Sequence, residues 1–195
     1  MLSIKSNVVE EFCIKKSHFI THLFRVDDID AVKSYLDDLS IKYKDATHIC
    51  YAYIIDNVKR FSDNGEPGGT AGMPILNVLE SKNLNHIFCC VVRYFGGIKL
   101  GANGLVRAYS NSASSAILNA SIVNLVSGKL CSIEFNYDDT KVIDNILKNS
   151  IIVNRVYDTL VKYTFKLSLD DLDLICDELN KYNLSILDDC YIEDL

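Results

Sequence analysis

Arg93, Lys99 and Arg107 bracket a run in which glycine recurs: Arg93-Tyr-Phe-Gly-Gly-Ile-Lys-Leu-Gly-Ala-Asn-Gly-Leu-Val-Arg107. A continuous apolar segment, Ile87–Val92, precedes it and a helical pattern follows it. Strand, glycine loop and helix in that order gather free backbone N–H groups and the positive end of a helix dipole, which suits a phosphate. Gly96, Gly97, Gly101, Asn103 and Gly104 would form the cradle, with Arg93, Lys99 and Arg107 beside it. A tight strand-to-helix crossover would need the same glycines. Two familiar phosphate sites are excluded. No Lys-Ser or Lys-Thr follows the last glycine, and Gly97-x-x-x-Gly101-x-x-Gly104 is not a dinucleotide fingerprint.

A second dense block is Asp63-Asn-Gly-Glu-Pro-Gly-Gly-Thr-Ala-Gly72. Eight of the nine glycines and both prolines fall between Gly65 and Gly104, so function is sought there. The turn formers predict a polar loop over 56–69 with Glu66 exposed. His48, Asp63, Glu66 and Thr70 form a possible additional site for acid–base or metal chemistry; carboxylates in such a loop can equally be solvated or capping. His48 and Cys50 share a strand face, but side chains at i and i+2 stand too far apart for a nucleophilic pair. No catalytic residue, metal or cofactor is assigned.

The net charge of −6 is unevenly spread. Residues 1–125 carry 13 Lys+Arg against 12 Asp+Glu, whereas 126–195 carry 7 against 14. Between 59 and 107 the cations Lys59, Arg60, Lys82, Arg93, Lys99 and Arg107 outnumber Asp63, Glu66 and Glu80. A polyanion would bind there and be repelled by the C-terminal third. The seven cysteines are odd in number, lie mostly in apolar runs and never form C-x-x-C, which predicts free thiols in a reducing cytoplasm. No apolar run is long enough to span a membrane, and the N-terminus has no signal-peptide pattern.

Periodicity predicts two strands around Lys15-Lys16-Ser17 and a helix opened by Asp27-Asp28-Ile29-Asp30. A strand over Thr47–Ile55 puts Tyr51 and Tyr53 opposite His48, Cys50 and Ala52. A short helix over Thr70–Ser81 carries Pro74 in its first turn. The 87–92 run reads as a strand buried on both faces, and a longer helix covers 103–120. From about 121 the order becomes β-α-β-β-α-β, the ferredoxin-like plan. The fold class is α+β, with domains over 1–125 and 126–195.

Asp45–Tyr53, Ser62–Asn77 and Arg93–Tyr109, with Lys16-Ser17-x-Phe19, resemble the IMPACT / YigZ family. That resemblance covers the whole chain. It implies a ribosomal-protein-like N-terminal domain, similar to domain IV of elongation factor G. A ferredoxin-like domain, similar to domain V of that factor, would follow. It also implies a link to translation, since eukaryotic relatives regulate translation by competing for an activator of a stress-response kinase. Departures are Gly101-Ala102-Asn103-Gly104 where the family usually has Gly-Thr-Gly-Gly, Gly68 in place of Ser, and Asn64 in place of Asp.

Three functions follow as expectations. The first is a non-enzymatic cytoplasmic protein that binds ribosomes or RNA through Lys59, Arg60, Arg93, Lys99 and Arg107. Tyr51, Tyr53, Tyr94 and Phe95 would be available for stacking. The second is an enzyme or binding protein for a small phosphorylated or acidic ligand at the glycine loop. The third is a protein–protein regulator of translation control. A compact pocket joining His48 to the glycine loop would favour the second, and an open surface the first.

Overall fold

The computed structural model describes residues 1–194. The chain is a mixed α+β protein that divides into two compact units, Met1–Asn124 and Leu125–Leu195.

In the first unit five antiparallel strands form one sheet, ordered β2-β3-β6-β4-β5. They are β2 (Val8–Ile14), β3 (Ser17–Arg25), β4 (His48–Ile55), β5 (Val58–Ser62) and β6 (Ile87–Tyr94). The central β6 is buried on both faces because helices cover both sides of the sheet. On one face α1 (Ile29–Lys42) packs Val32 and Leu39 with Phe24, Tyr53, Phe88 and Cys90. Asp28 caps α1, its carboxylate accepting from Ala31 N at 2.7 Å. On the other face α2 (Gly72–Ser81) and α3 (Ala102–Leu118) pack Ile75, Leu79, Ala108, Tyr109 and Ala113 against Phe19, Cys50, Ala52 and Val91.

Two strands depart from the sequence reading. β5 lies in the segment expected to be loop; its Val58–Ser62 run pairs with β4 across a turn in which Asp56 takes a positive φ. β1 (Leu2–Ile4) pairs with Ile122–Asn124, the start of β7 (Ile122–Phe135). Neither strand has enough length or alternation for periodicity to show it.

The second unit contains most of β7, α4 (Thr140–Ile146), β8 (Ile151–Tyr157), β9 (Val161–Ser168), α5 (Leu169–Leu179) and β10 (Ser185–Glu193). All its strand pairs are antiparallel, in the order β8-β9-β7-β10. Val161, Tyr163, Phe165 and Leu167 alternate inward and meet Ile143, Leu172 and Leu179 from the helices. Ser168 caps α5 by accepting from Asp171 N at 3.0 Å.

Candidate functional site

Sheet register places three side chains in a row. Arg93 on β6 lies directly opposite Phe19 on β3 and His48 on β4. All three face the α2/α3 side. There Arg93 is buried, with its guanidinium carbon 5.5 Å from the ring centres of Phe19 and Phe95. Nη1 donates to Glu66 Oε1 at 2.6 Å, and Nη2 donates to Ser17 Oγ at 3.3 Å. Tyr109 of α3 donates to the same Glu66 oxygen at 2.8 Å, and the Cys50 thiol reaches the Tyr109 hydroxyl at 3.4 Å.

This network corrects two expectations. Glu66, predicted exposed, is 8% exposed, because the loop folds inward to reach Arg93 and Tyr109. Arg93, expected to offer charge to an outside phosphate, is itself buried against that carboxylate. Ser17, Cys50 and Tyr109 belong to the network and were not expected there. The apolar stripe that marked Tyr109 as a core residue gave no sign of its hydroxyl's role.

The 63–72 loop is held by Asp63. Its Oδ2 accepts from Gly69 N at 2.8 Å, and its Oδ1 accepts from Ala71 N at 2.9 Å and Gly72 N at 2.8 Å. It thereby caps α2 from outside the helix, where no local side chain does so. Burial pushes the Asp63 carboxyl upward, but the three N–H donors outweigh it and leave it below the usual value. Asn64 takes a left-handed conformation and its Oδ1 accepts from Ile49 N at 2.9 Å, an acceptor role that Asp would share. Thr70, buried, donates to the Pro67 carbonyl at 2.6 Å. Asp63 and Thr70 thus both hold the loop in place.

The glycine loop is positioned by a close approach. A Cβ on Gly96 would stand 1.9 Å from the Lys16 carbonyl carbon, so the exposed Lys15-Lys16 turn packs directly on the loop. That adds two cations to the neighbourhood which linear spacing did not suggest. Gly101, with φ of 73°, turns the chain into α3. No side chain caps the first turn of α3, and Gly101 and Ala102 line a cavity of about 370 Å³. Thr47, His48, Glu66, Pro67, Arg93, Phe95, Lys99, Leu100 and Leu105 complete the walls.

His48 is fixed within that cleft. Its Nδ1 lies 2.8 Å from the Asn64 carbonyl, which can only accept, so Nδ1 carries a hydrogen. Its Nε2 lies 3.8 Å from Glu66 Oε2. Burial pushes the Cys50 thiol up to about 12, which disfavours the thiolate a nucleophile would need.

The other expected residues are scattered. Lys59 and Arg60 stand on the edge strand β5, outside the cleft, and Lys59 pairs with Glu80 at 2.7 Å. Gly97 is exposed in the loop; Asn103, Gly104 and Arg107 follow on α3 without lining the cavity. Tyr51 and Tyr53 pack on the α1 face, so they are not stacking groups for this site. Phe95 is 46% exposed and forms part of the wall. Among the described residues, no group of three or more His, Cys, Asp or Glu is placed to hold a metal ion. A second cleft of about 420 Å³ lies in the C-terminal unit, but its Ser168 and Asp171 already bond each other as the α5 cap.

Fold and site define a two-unit α+β protein with a half-open cleft at the start of α3, lined by His48, a buried Arg–Glu pair and Lys99. The Impact N-terminal domain model matches residues 15–117. IMPACT family member YvyE of Bacillus subtilis is 37% identical over 151 residues, which are 76% of this chain and 70% of that protein. YigZ of Escherichia coli is 44% identical over 115 residues, 56% of this chain and 55% of that protein. A crystal structure described as a hypothetical protein matches with a TM-score of 0.67 and 29% identity, covering 95% of both chains. The chain belongs to the IMPACT family.

Proposed function

We propose that the protein is a binding protein whose cleft takes the phosphate or carboxylate group of a small ligand. The observation that carries this reading is that His48 and the end of the glycine loop, from Lys99 to Gly101, line one half-open cleft at the uncapped start of α3. Lone N–H groups and a helix dipole favour an anion there, and Lys99 adds a charge. Isothermal titration with inorganic phosphate and a simple phosphomonoester tests it. Binding that is lost in Lys99→Glu is expected; no heat with either ligand overturns the reading.

A second reading, in translation control, is favoured by the exposed cations around the same loop. Lys15, Lys16, Lys99 and Arg107 are all exposed, and the Lys16 backbone touches Gly96. RNA or the ribosome would be met by these groups rather than by Arg93, Lys59 or Arg60. Cosedimentation with ribosomes at two salt concentrations tests it, because phosphate contacts weaken steeply with salt. Loss of binding in a Lys15/Lys16→Glu variant supports it, and no binding at low salt removes it. In the same spirit, the first unit is assigned as an elongation factor G domain IV-like module and the second as a ferredoxin-like one. The second assignment rests on the β-α-β-β-α-β order and the sheet order β8-β9-β7-β10. A cytoplasmic location would suit the free cysteines.

A further inference from the structure

Resting on the reading of the cleft as an anion site, Glu66 and His48 in its lining specify the rest of the ligand. Glu66 Oε1 is fully engaged by Arg93 and Tyr109. Glu66 Oε2 has no hydrogen bond among the described residues, although its side chain is only 3% exposed and lines the cavity. Its neighbour there is His48 Nε2, at 3.8 Å, too long for a direct hydrogen bond. Nδ1 of that ring donates to Asn64, so whenever Nε2 carries no hydrogen it presents a second acceptor beside Oε2. Two acceptors then converge on one spot, and Oε2 is open to a donor arriving through the cleft. A group that offers two hydrogens from one nitrogen satisfies both.

The cleft also has an apolar share of its lining, from Phe95, Pro67, Leu100 and Leu105, beside Thr47 and the buried Arg93. A volume of about 370 Å³ lies at the small end of the roughly 300–1,000 Å³ of ligand pockets. We propose that the cleft is a site for a mononucleotide bearing an exocyclic amino group. The phosphate would lie at Lys99 and the first turn of α3, the base against Phe95, and the amino group at Glu66 Oε2 and His48 Nε2. The nucleotide can be free or the terminal unit of an RNA; the recognition chemistry is the same.

The test is calorimetric titration of the full chain with adenosine and inosine monophosphates, which differ by an amino group against a carbonyl at one ring position. Cytidine and uridine monophosphates repeat the contrast. The amino member of each pair is expected to bind at least about tenfold more tightly, since the keto member turns another acceptor toward Glu66. His48→Phe should reduce that preference, with thermal unfolding confirming the fold. Glu66→Gln keeps an oxygen for Arg93 and puts an N–H₂ in the cleft, so it should reverse the preference. If Glu66→Gln does not fold, the His48→Phe result decides. A 5′-phosphorylated oligoadenylate separates the sources: tighter binding than the free nucleotide identifies an RNA end, and weaker binding a free ligand. Phosphate binding that depends on Lys99 with no amino preference overturns this inference and leaves the anion reading standing. No binding of phosphate or any nucleotide overturns both.

Discussion

Arg93 Nη1 donates to Glu66 Oε1 at 2.6 Å, and their side chains are 5% and 3% exposed. This ion pair joins the central strand β6 to the loop before α2, and Tyr109 ties α3 to it. Removing one partner strands the other charge in a dry site. Glu66→Ala is expected to cost about 3–5 kcal/mol, and the double change Arg93→Met with Glu66→Leu distinctly less. Equilibrium urea unfolding measures both. A Glu66→Ala cost below about 1 kcal/mol would mean that Arg93 finds water or another partner.

Gly96 and Gly101 are needed for different reasons, and the two variants should separate them. Alanine at 96 would drive its Cβ into the Lys16 backbone, which cannot swing aside as a side-chain end can. Alanine at 101 meets open space but must hold φ of 73° with ψ of 165°, a region essentially confined to glycine, at a cost of about 1–3 kcal/mol. Gly96→Ala should therefore be the more damaging of the two by denaturant midpoint. Equal effects would show that the Lys15-Lys16 turn simply moves away.

The strands and helices that carry the site were readable from their apolar residues: β4 ends in a buried run, β6 is apolar from Ile87 to Val92, and α3 repeats Leu105, Tyr109, Ala113 and Ala116 inward. The glycine loop and His48 were also visible as candidates, and they do line one cleft. What spacing could not show is the pairing across the sheet. Arg93 and Glu66 are far apart in sequence, and nothing local distinguishes a carboxylate that folds inward from one in solvent. The same blindness hid the Lys15-Lys16 turn, which reaches Gly96 only through the β3–β6 pairing. Lys59 and Arg60 show the converse: close in sequence to the loop, they stand on an edge strand outside the cleft.

Asp63 should behave as a capping residue with a definite pH dependence. Its carboxyl is lowered from 3.8, so its contribution is fully present above that value and is lost as pH falls through its folded value. Asp63→Ala is expected to destabilise by roughly 1–2 kcal/mol at neutral pH, with the gap to the parent chain closing below about pH 3.8. Denaturant titrations at several pH values measure the gap. A gap that persists unchanged in acid would show that the charge is not what caps α2.

His22 gives the opposite kind of profile. Burial, with Lys42 nearby, lowers it from 6.5 to about 4, while Glu11 pulls weakly the other way. It packs between Phe24 and Tyr43, with its Nε2 2.9 Å from the Tyr43 hydroxyl. The unfolded chain takes up a proton on this ring below pH 6.5 and the folded chain does not until about pH 4. Stability should therefore fall between those values, by up to about 3 kcal/mol, and level off beneath them. His22→Gln should flatten that part of the curve; an unchanged slope would assign it to other groups.

The thiols offer a direct check on the buried network. Burial pushes Cys50 and Cys89 up to about 12 and Cys90 well above its usual value, and none of the three is exposed. Cys13 stands exposed on the edge strand β2. An aromatic disulfide reagent at neutral pH should modify Cys13 first and leave Cys50, Cys89 and Cys90 untouched until the chain unfolds, because only accessible thiolate reacts. Mass spectrometry after brief labelling reads this residue by residue. Cys50 is the informative one, since its thiol reaches both Tyr109 and the Asp63 carbonyl. Labelling of Cys50 at the rate of Cys13 would mean that the 63–72 loop lifts off α3 in the folded protein. The cleft wall formed by Glu66 and Pro67 would then open with it.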